Sequence, residues 1–285
     1  MLSEALLLSA AVFLGTNPVA VKYAVGDIPP LPFVALRFVS AGLLLLAILH
    51  LWAPGGGLRR ENFLSMAGVG IFGVGLNNVL FTFGVSLTAA SDTSLIYATP
   101  PLWGMLLGFV LGLERPRVRG VLGVGLALVG VGVVVYGGLG ANGASLPGDL
   151  LVAGAAACWG SYAVLALPLL RNYSPLAVAA YTMLFGGLAV LPLASPDLLN
   201  TSWGDVGVGA LAAFAYSTLL VAAFGFFAWQ RGVSRIGANR MLVYQYLVVL
   251  TGVVSGVALL GESLGLSKLF GGAVILVGVY LARRQ

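Results

Sequence analysis

The sequence predicts an all-α integral membrane protein: ten transmembrane helices forming two inverted five-helix repeats around a central cavity, with both termini cytoplasmic. Three observations carry that expectation. Hydrophobic residues make up 60% of the 285-residue chain and charged residues only 8%, a mixture soluble globular domains do not need. Ten apolar runs recur, each of roughly 17 to 25 residues, enough to cross a bilayer core of about 30 Å as helix. The second half of the chain also repeats the first. An offset of 148 residues lays Ala90, Leu102, Gly104, Gly108, Leu111, Glu114, Gly123, Leu128, Val129 and Gly130 on identical residues between Ala238 and Gly278. Five crossings reverse the chain direction, so residues 1–140 and 147–285 are expected to face opposite ways, the arrangement of inverted-repeat transporters.

The first run, Ala5 to Ala24, follows Glu4 rather than a basic stretch and lacks a small-residue cleavage site, so it reads as a retained helix. Asn17 is its polar residue near mid-depth. The second, Leu31 to Leu51, carries Arg37 about two turns inside one end, positioned to meet a solute carboxylate, or else to snorkel or to pair with Asp92. His50 lies at its other, interfacial end. The third, Phe63 to Leu87, brings Asn77 and Asn78, which point about 100° apart on a helix and so serve different surfaces. The fourth, Thr93 to Leu113, holds Tyr97, Trp103 and a ridge of Gly104, Gly108 and Gly112. Pro100 stands opposite Val248 of the second half, so only the first half is expected to kink there. The fifth, Val118 to Gly138, adds Gly120, Gly123 and Gly130, and Glu114 just before it is placed to cap its amides.

The sixth run, Asp149 to Leu170, contains Trp159, Tyr162 and the single cysteine, Cys158, read as a small packing residue. The seventh is Pro175 to Ala194. The eighth, Asp205 to Gln230, brings Tyr216 to mid-depth. The ninth, Ala238 to Leu260, carries Gln245 at the position matching Tyr97, with Gly252 and Gly256 repeating the ridge. Glu262 precedes the tenth, Leu266 to Ala282, as a second expected cap, and Gly271 and Gly278 lie within it. Glycine ridges let helix backbones approach closely where lipid gives no hydrophobic drive for association. Helices 4, 5, 9 and 10 are therefore expected to form a packed scaffold.

The net charge of +5 does not imply nucleic acid. With the N-terminus in the cytoplasm, eleven of the fourteen basic residues fall on the cytoplasmic side, leaving only Lys22, Arg37 and Lys268 outside. The expected location is the inner (plasma) membrane.

The run Gly15-Thr16-Asn17-Pro18 with Lys22, then Pro29-Pro30 and Ala35-Leu36-Arg37-Phe38, resembles the opening of an EamA-type repeat. Ala89-Ala90, Pro100, Leu113-Glu114 and the glycine-spaced helix from Gly120 to Gly132 resemble its close. Trp159-Gly160, Gly237-Ala238 and Gly261-Glu262 echo it in the second half. The resemblance implies the drug/metabolite transporter superfamily in its ten-helix form, close to the YddG-type amino-acid exporters. Small multidrug members of that superfamily exchange protons through a glutamate in helix 1. No such residue stands at mid-depth here, which favours facilitated movement over proton coupling.

Asn17, Asn77, Asn78, Tyr97, Trp103, Trp159, Tyr162, Tyr216 and Gln245 are the candidate solute-binding residues, offering amides and aromatic walls to a neutral or zwitterionic solute. Each has an alternative role as interhelical glue or packing. Alternative cargoes are nucleotide sugars or phosphorylated metabolites, which would want several basic residues at the cavity, or drugs moved against protons. One His, one Cys and no mid-depth acid give little material for an intramembrane enzyme. The sequence has no P-loop, and no cofactor or metal is expected. Monomer and homodimer both stay open.

Overall fold

The structure, a computed structural model, describes residues 2–52, 57–112, 118–138, 145–236 and 238–283, with the side chains of 2–4, 138, 233, 236, 238–243, 246 and 282–283 outside the description. Ten helical spans follow one another: α1 Leu2–Ala24, α2 Pro30–Trp52, α3 Arg60–Leu87, α4 Ala90–Val110, α5 Val118–Gly138, α6 Leu146–Asn172, α7 Pro175–Asn200, α8 Val208–Gly232, α9 Ala238–Leu260 and α10 Leu266–Arg283. Among the described residues the first eight are long and apolar enough to cross a membrane, and α9 and α10 contribute the apolar stretches Leu247–Leu260 and Leu266–Leu281. The chain is a multi-pass membrane protein.

Buried apolar side chains form two cores. The larger draws on α1, α2, α3, α6, α7 and α8, with Phe33, Phe38, Phe81, Trp159, Tyr162 and Met183 among its members. The smaller joins α4, α5, α9 and α10 through Leu95, Leu102, Ala127, Val134, Val249, Ile275 and Val279. The four glycine-rich helices thus share a core of their own, as the ridges suggested.

Glycine sets how closely the helices cross. A Cβ on Gly130 of α5 would lie 2.7 Å from the Ile275 nitrogen of α10, and one on Gly278 would lie 2.7 Å from the Gly123 carbonyl oxygen. Between α2 and α7 the contact is reciprocal: a Cβ on Gly42 would come within 2.8 Å of the Leu184 nitrogen, and one on Gly187 within 2.7 Å of the Val39 nitrogen. The ridges of α4 and α9 are used differently from those of α5 and α10. Gly104 of α4 abuts Gly160 of α6, and Gly252 of α9 abuts Ser94 and Gly15, so these glycines dock the scaffold onto the larger core.

Four spans depart from regular α-helical bonding; α6 does so only near its end, at Ala166 before Pro168, and the other three do so nearer their middles. In α3 residues Ile71–Leu76, and in α8 residues Ser217–Gly225, wind as wider π-helix. In α4 the helix stops after Ile96 and restarts at Pro100. The sequence explains the break in α4, since Pro100 and Pro101 have no N–H to offer the carbonyls of Ile96 and Tyr97. Val248 and Val249 occupy the matching positions of α9, which runs unbroken. Gly112 and Gly261, with φ of +68° and +66°, follow the ends of α4 and α9 in the left-handed conformation that glycine adopts without strain.

Candidate functional site

At the interruptions of α3, α4 and α8 a polar side chain donates to a backbone carbonyl. Such irregular backbone is tolerated at membrane depth only where it is bonded within the protein or lines a cavity. The Ser217 carbonyl of α8 accepts from Arg37 Nε at 3.1 Å. The Val74 carbonyl of α3 accepts from Asn78 Nδ2 at 3.0 Å. The Tyr97 carbonyl of α4 accepts from Gln245 Nε2 at 3.0 Å. The residue that bonds Tyr97 is therefore the one that matches it in the sequence repeat.

These groups surround one cavity of about 60 Å³, room for several waters. Asn17, Arg37, Asn77, Asn78, Tyr97, Trp159 and Gln245 line it, so seven of the sequence-selected residues come together from α1, α2, α3, α4, α6 and α9. Asn77 and Asn78 both border the cavity while also bonding helices. Asn77 Nδ2 donates to the Ala155 carbonyl at 2.6 Å and to the Tyr97 hydroxyl at 2.9 Å, and Asn78 Nδ2 donates to Asn77 Oδ1 at 2.9 Å. Arg37 Nη2 donates to Asn17 Oδ1 at 3.3 Å, and the Ser217 hydroxyl donates to the same oxygen at 2.9 Å. The Arg37 guanidinium also lies over the Phe38 ring, 4.9 Å from its centroid.

Three selected residues lie off the cavity lining. Tyr162 sits behind the wall, stacked on Trp159 and accepting a hydrogen bond from Gln230 Nε2 at 2.9 Å. Tyr216 shares a 2.5 Å hydrogen bond with the Thr16 hydroxyl and meets the edge of Phe13. Trp103 donates within its own helix to Thr99 Oγ1 at 3.3 Å. Depth along a span places a residue at the membrane centre but not on a face, which is why depth alone selected them. The lining residues that this selection missed are mostly apolar: Phe81, and the α8 residues Val221, Phe226 and Trp229. Phe226 and Trp229 lie beyond the window of central residues that the count admitted. Ser217, the neighbour of Tyr216, carried no signal of its own.

The expected Arg37–Asp92 pair does not form. Asp92 sits at the end of α4, fully buried, and pairs with Lys268 Nζ of α10 at 3.0 Å, while Arg37 lies deeper, against Asn17 and Ser217. Lys268 Nζ also donates to Ser91 Oγ at 3.0 Å. Glu262 does cap a helix, but a different one. Its carboxylate accepts from the backbone N–H groups of Ala90 at 2.7 Å and Ser91 at 2.8 Å, so it caps α4, not α10. The left-handed turn at Gly261 carries the chain back across the start of α4. Burial opposes the charge on Glu262, yet the hydrogen bonds from Ser91 and Ala90 and the nearby Lys22 ammonium, 3.9 Å away, hold its carboxyl below its ordinary range. Nearby, Thr88 Oγ1 donates to Asp149 Oδ1 of α6 at 2.6 Å. Lys22, Asp92, Asp149, Glu262 and Lys268 thus cluster at one end of the bundle. Glu114 lies outside the described residues. Among the described residues no group of three metal-ligating side chains occurs.

Comparison with known proteins agrees with this architecture. The family model described as the EamA-like transporter family matches residues 1–136 and again residues 146–284. An uncharacterized transporter of Bacillus subtilis, YyaM, is 25% identical over 97% of this chain and 92% of its own length. A probable terminal-alkyne amino-acid exporter of Streptantibioticus cattleyicolor is 30% identical over 80% of this chain and 75% of its own. A probable amino-acid metabolite efflux pump of Salmonella typhimurium is 24% identical over 97% of this chain and 93% of its own. A solved crystal structure shares the fold with a TM-score of 0.68 at 20% identity, covering 98% of this chain and 96% of that one.

Proposed function

Because the chain belongs to the EamA-like transporter family, we propose that it exports amino acids or similar small metabolites by alternating access. Movement is facilitative, down the solute gradient. The observation that carries this reading is a cavity walled by helices from both halves of the chain, lined by amides and aromatic rings with Arg37 as the charged side chain among the described lining residues. Two relatives are named as an amino-acid exporter and an amino-acid metabolite efflux pump, which supports that cargo class. The inverted-repeat arrangement is supported by the tandem family match and by the Gly42–Leu184 and Gly187–Val39 crossings, which are equivalent to each other when the two halves are laid together at an offset of 145 residues (187 − 42 and 184 − 39). The distribution of basic residues supports cytoplasmic termini in an inner membrane.

In this reading the two halves rock about the cavity, and the ion-paired end, expected to face outward, closes it while the other end opens. A solute larger than a few waters requires the Phe226 and Trp229 wall to move aside. A nucleotide-sugar or phosphorylated-metabolite carrier is the less favoured reading, because among the described residues Arg37 is the one basic side chain at the cavity. Proteoliposomes loaded with radiolabelled amino acids test the proposal. Efflux is expected with or without a pH gradient; a strict need for the gradient would replace facilitated movement by proton exchange, and movement of sugar nucleotides alone would reverse the choice of cargo.

A further inference from the structure

We propose that Arg37 anchors the carboxylate of the transported solute, so that the cargo is a monocarboxylate, with amino acids as its zwitterionic case. This rests on the cavity being the transport site. The Arg37 side chain is 1% exposed and lies within the membrane-spanning part of α2. Its Nε and Nη2 are bonded, but only to neutral oxygens of Ser217 and Asn17. Its Nη1 is buried without a hydrogen-bond partner, and the residue borders the cavity. No described carboxylate forms an ion pair with it, since Asp92 is engaged by Lys268 and Glu262 is nearest Lys22.

A buried guanidinium without a counter-charge is costly, because stacking on Phe38 and bonds to neutral oxygens replace only part of its hydration. An anion entering the cavity supplies what is missing. The geometry favours carboxylate over phosphate for a reason of charge: one guanidinium balances one negative charge, whereas a phosphate dianion would leave excess charge in an otherwise neutral cavity. Asn17 and Ser217 fix the guanidinium through the other two nitrogens, so its free edge is held in place before a solute arrives. The rest of the lining suits the remainder of such a molecule. The amides of Asn78 and Gln245 offer hydrogen bonds, and Phe81, Trp159 and Trp229 offer ring faces to an ammonium or an apolar side chain.

Thermal stabilisation of the purified protein by the twenty free amino acids, their carboxyl amides, propionate and 3-phenylpropionate tests this. At least one acid is expected to bind roughly tenfold or more tightly than its amide, a preference that Arg37→Gln abolishes and Arg37→Lys weakens. Asn17→Asp is a second variant, placing an internal carboxylate beside the guanidinium. It is expected to raise the melting temperature without solute and to remove the response to acids. Equal binding of acids and amides by the wild-type protein, silence across the panel, or an acid preference that survives Arg37→Gln overturns the proposal. Should Arg37→Gln fail to fold, the wild-type comparison and Asn17→Asp decide. Proteoliposomes separate this failure from that of the transport reading: movement of an amide without its acid would overturn the anchor and leave transport standing, whereas an absence of movement for every solute tried would remove both.

Discussion

The six-helix and four-helix parts of the molecule solve the same problem with different mixtures of contacts. Both must hold helices together where lipid competes as well as any apolar side chain. The four-helix part does so by subtraction: glycines at Gly123, Gly130, Gly271 and Gly278 remove side chains so that α5 and α10 touch backbone to backbone. The six-helix part uses glycine crossings as well, at Gly42 and Gly187, but adds side-chain hydrogen bonds from Asn17, Arg37, Asn77 and Asn78 around its interrupted helices, with Gln245 reaching in from α9. Backbone contact leaves no room for a solute. A ring of side-chain amides around broken helices leaves a cavity. The difference teaches that hydrogen-bond capacity, not apolar packing alone, marks the part of this protein that encloses the cavity proposed for its cargo.

The comparison breaks most easily inside the four-helix part, at the buried ion pair that joins α4 to α10. Lys268→Met leaves Asp92 buried without its counter-charge and is expected to cost about 3 to 5 kcal/mol, read as a lowered melting temperature in detergent. Adding Asp92→Asn should recover much of it. Gly130→Val drives a side chain into the α10 backbone, where overpacking costs about 1 to 3 kcal/mol or more. Gly132→Ala, two residues on and facing open space on the opposite side of the helix, should change the melting temperature little. Gln245→Leu strips the donor from the Tyr97 carbonyl and is expected to cost about 1 to 3 kcal/mol. Combining it with Pro101→Ala, which returns a backbone N–H, should restore most of the loss, and a double-mutant cycle measures that coupling. Glu262 gives the smallest effect and sharpens the picture of the ion-paired end. Its carboxyl is held below the ordinary 4.5, so its contribution is complete above about that pH and disappears as pH falls through the lower folded value. Glu262→Gln should flatten that part of the stability profile, whereas a wild-type profile already flat below pH 4.5 would contradict the cap.

Most of the architecture was legible because membrane length and glycine spacing are properties of a single segment. The ten runs, the shared core of helices 4, 5, 9 and 10, and the kink confined to Pro100 could each be read from local sequence. Pairings between segments could not. Glu262 was assigned to the helix that follows it because distance along the chain was the only distance available, and Asp92 was matched to Arg37 because Lys268 lies 176 residues away from it. The π-helical stretches in α3 and α8 left no compositional mark, so the Ser217 carbonyl that holds Arg37 was invisible.

The paired prolines of α4 and the glutamine of α9 have an evolutionary corollary. A chain assembled from two first halves would carry two orphan carbonyls and no amide to meet them, and one assembled from two second halves would carry the amide with nothing to receive it. Whatever ancestor was duplicated, its descendants here have become complementary rather than interchangeable: the defect tolerated in one copy is tolerated only because the other copy mends it.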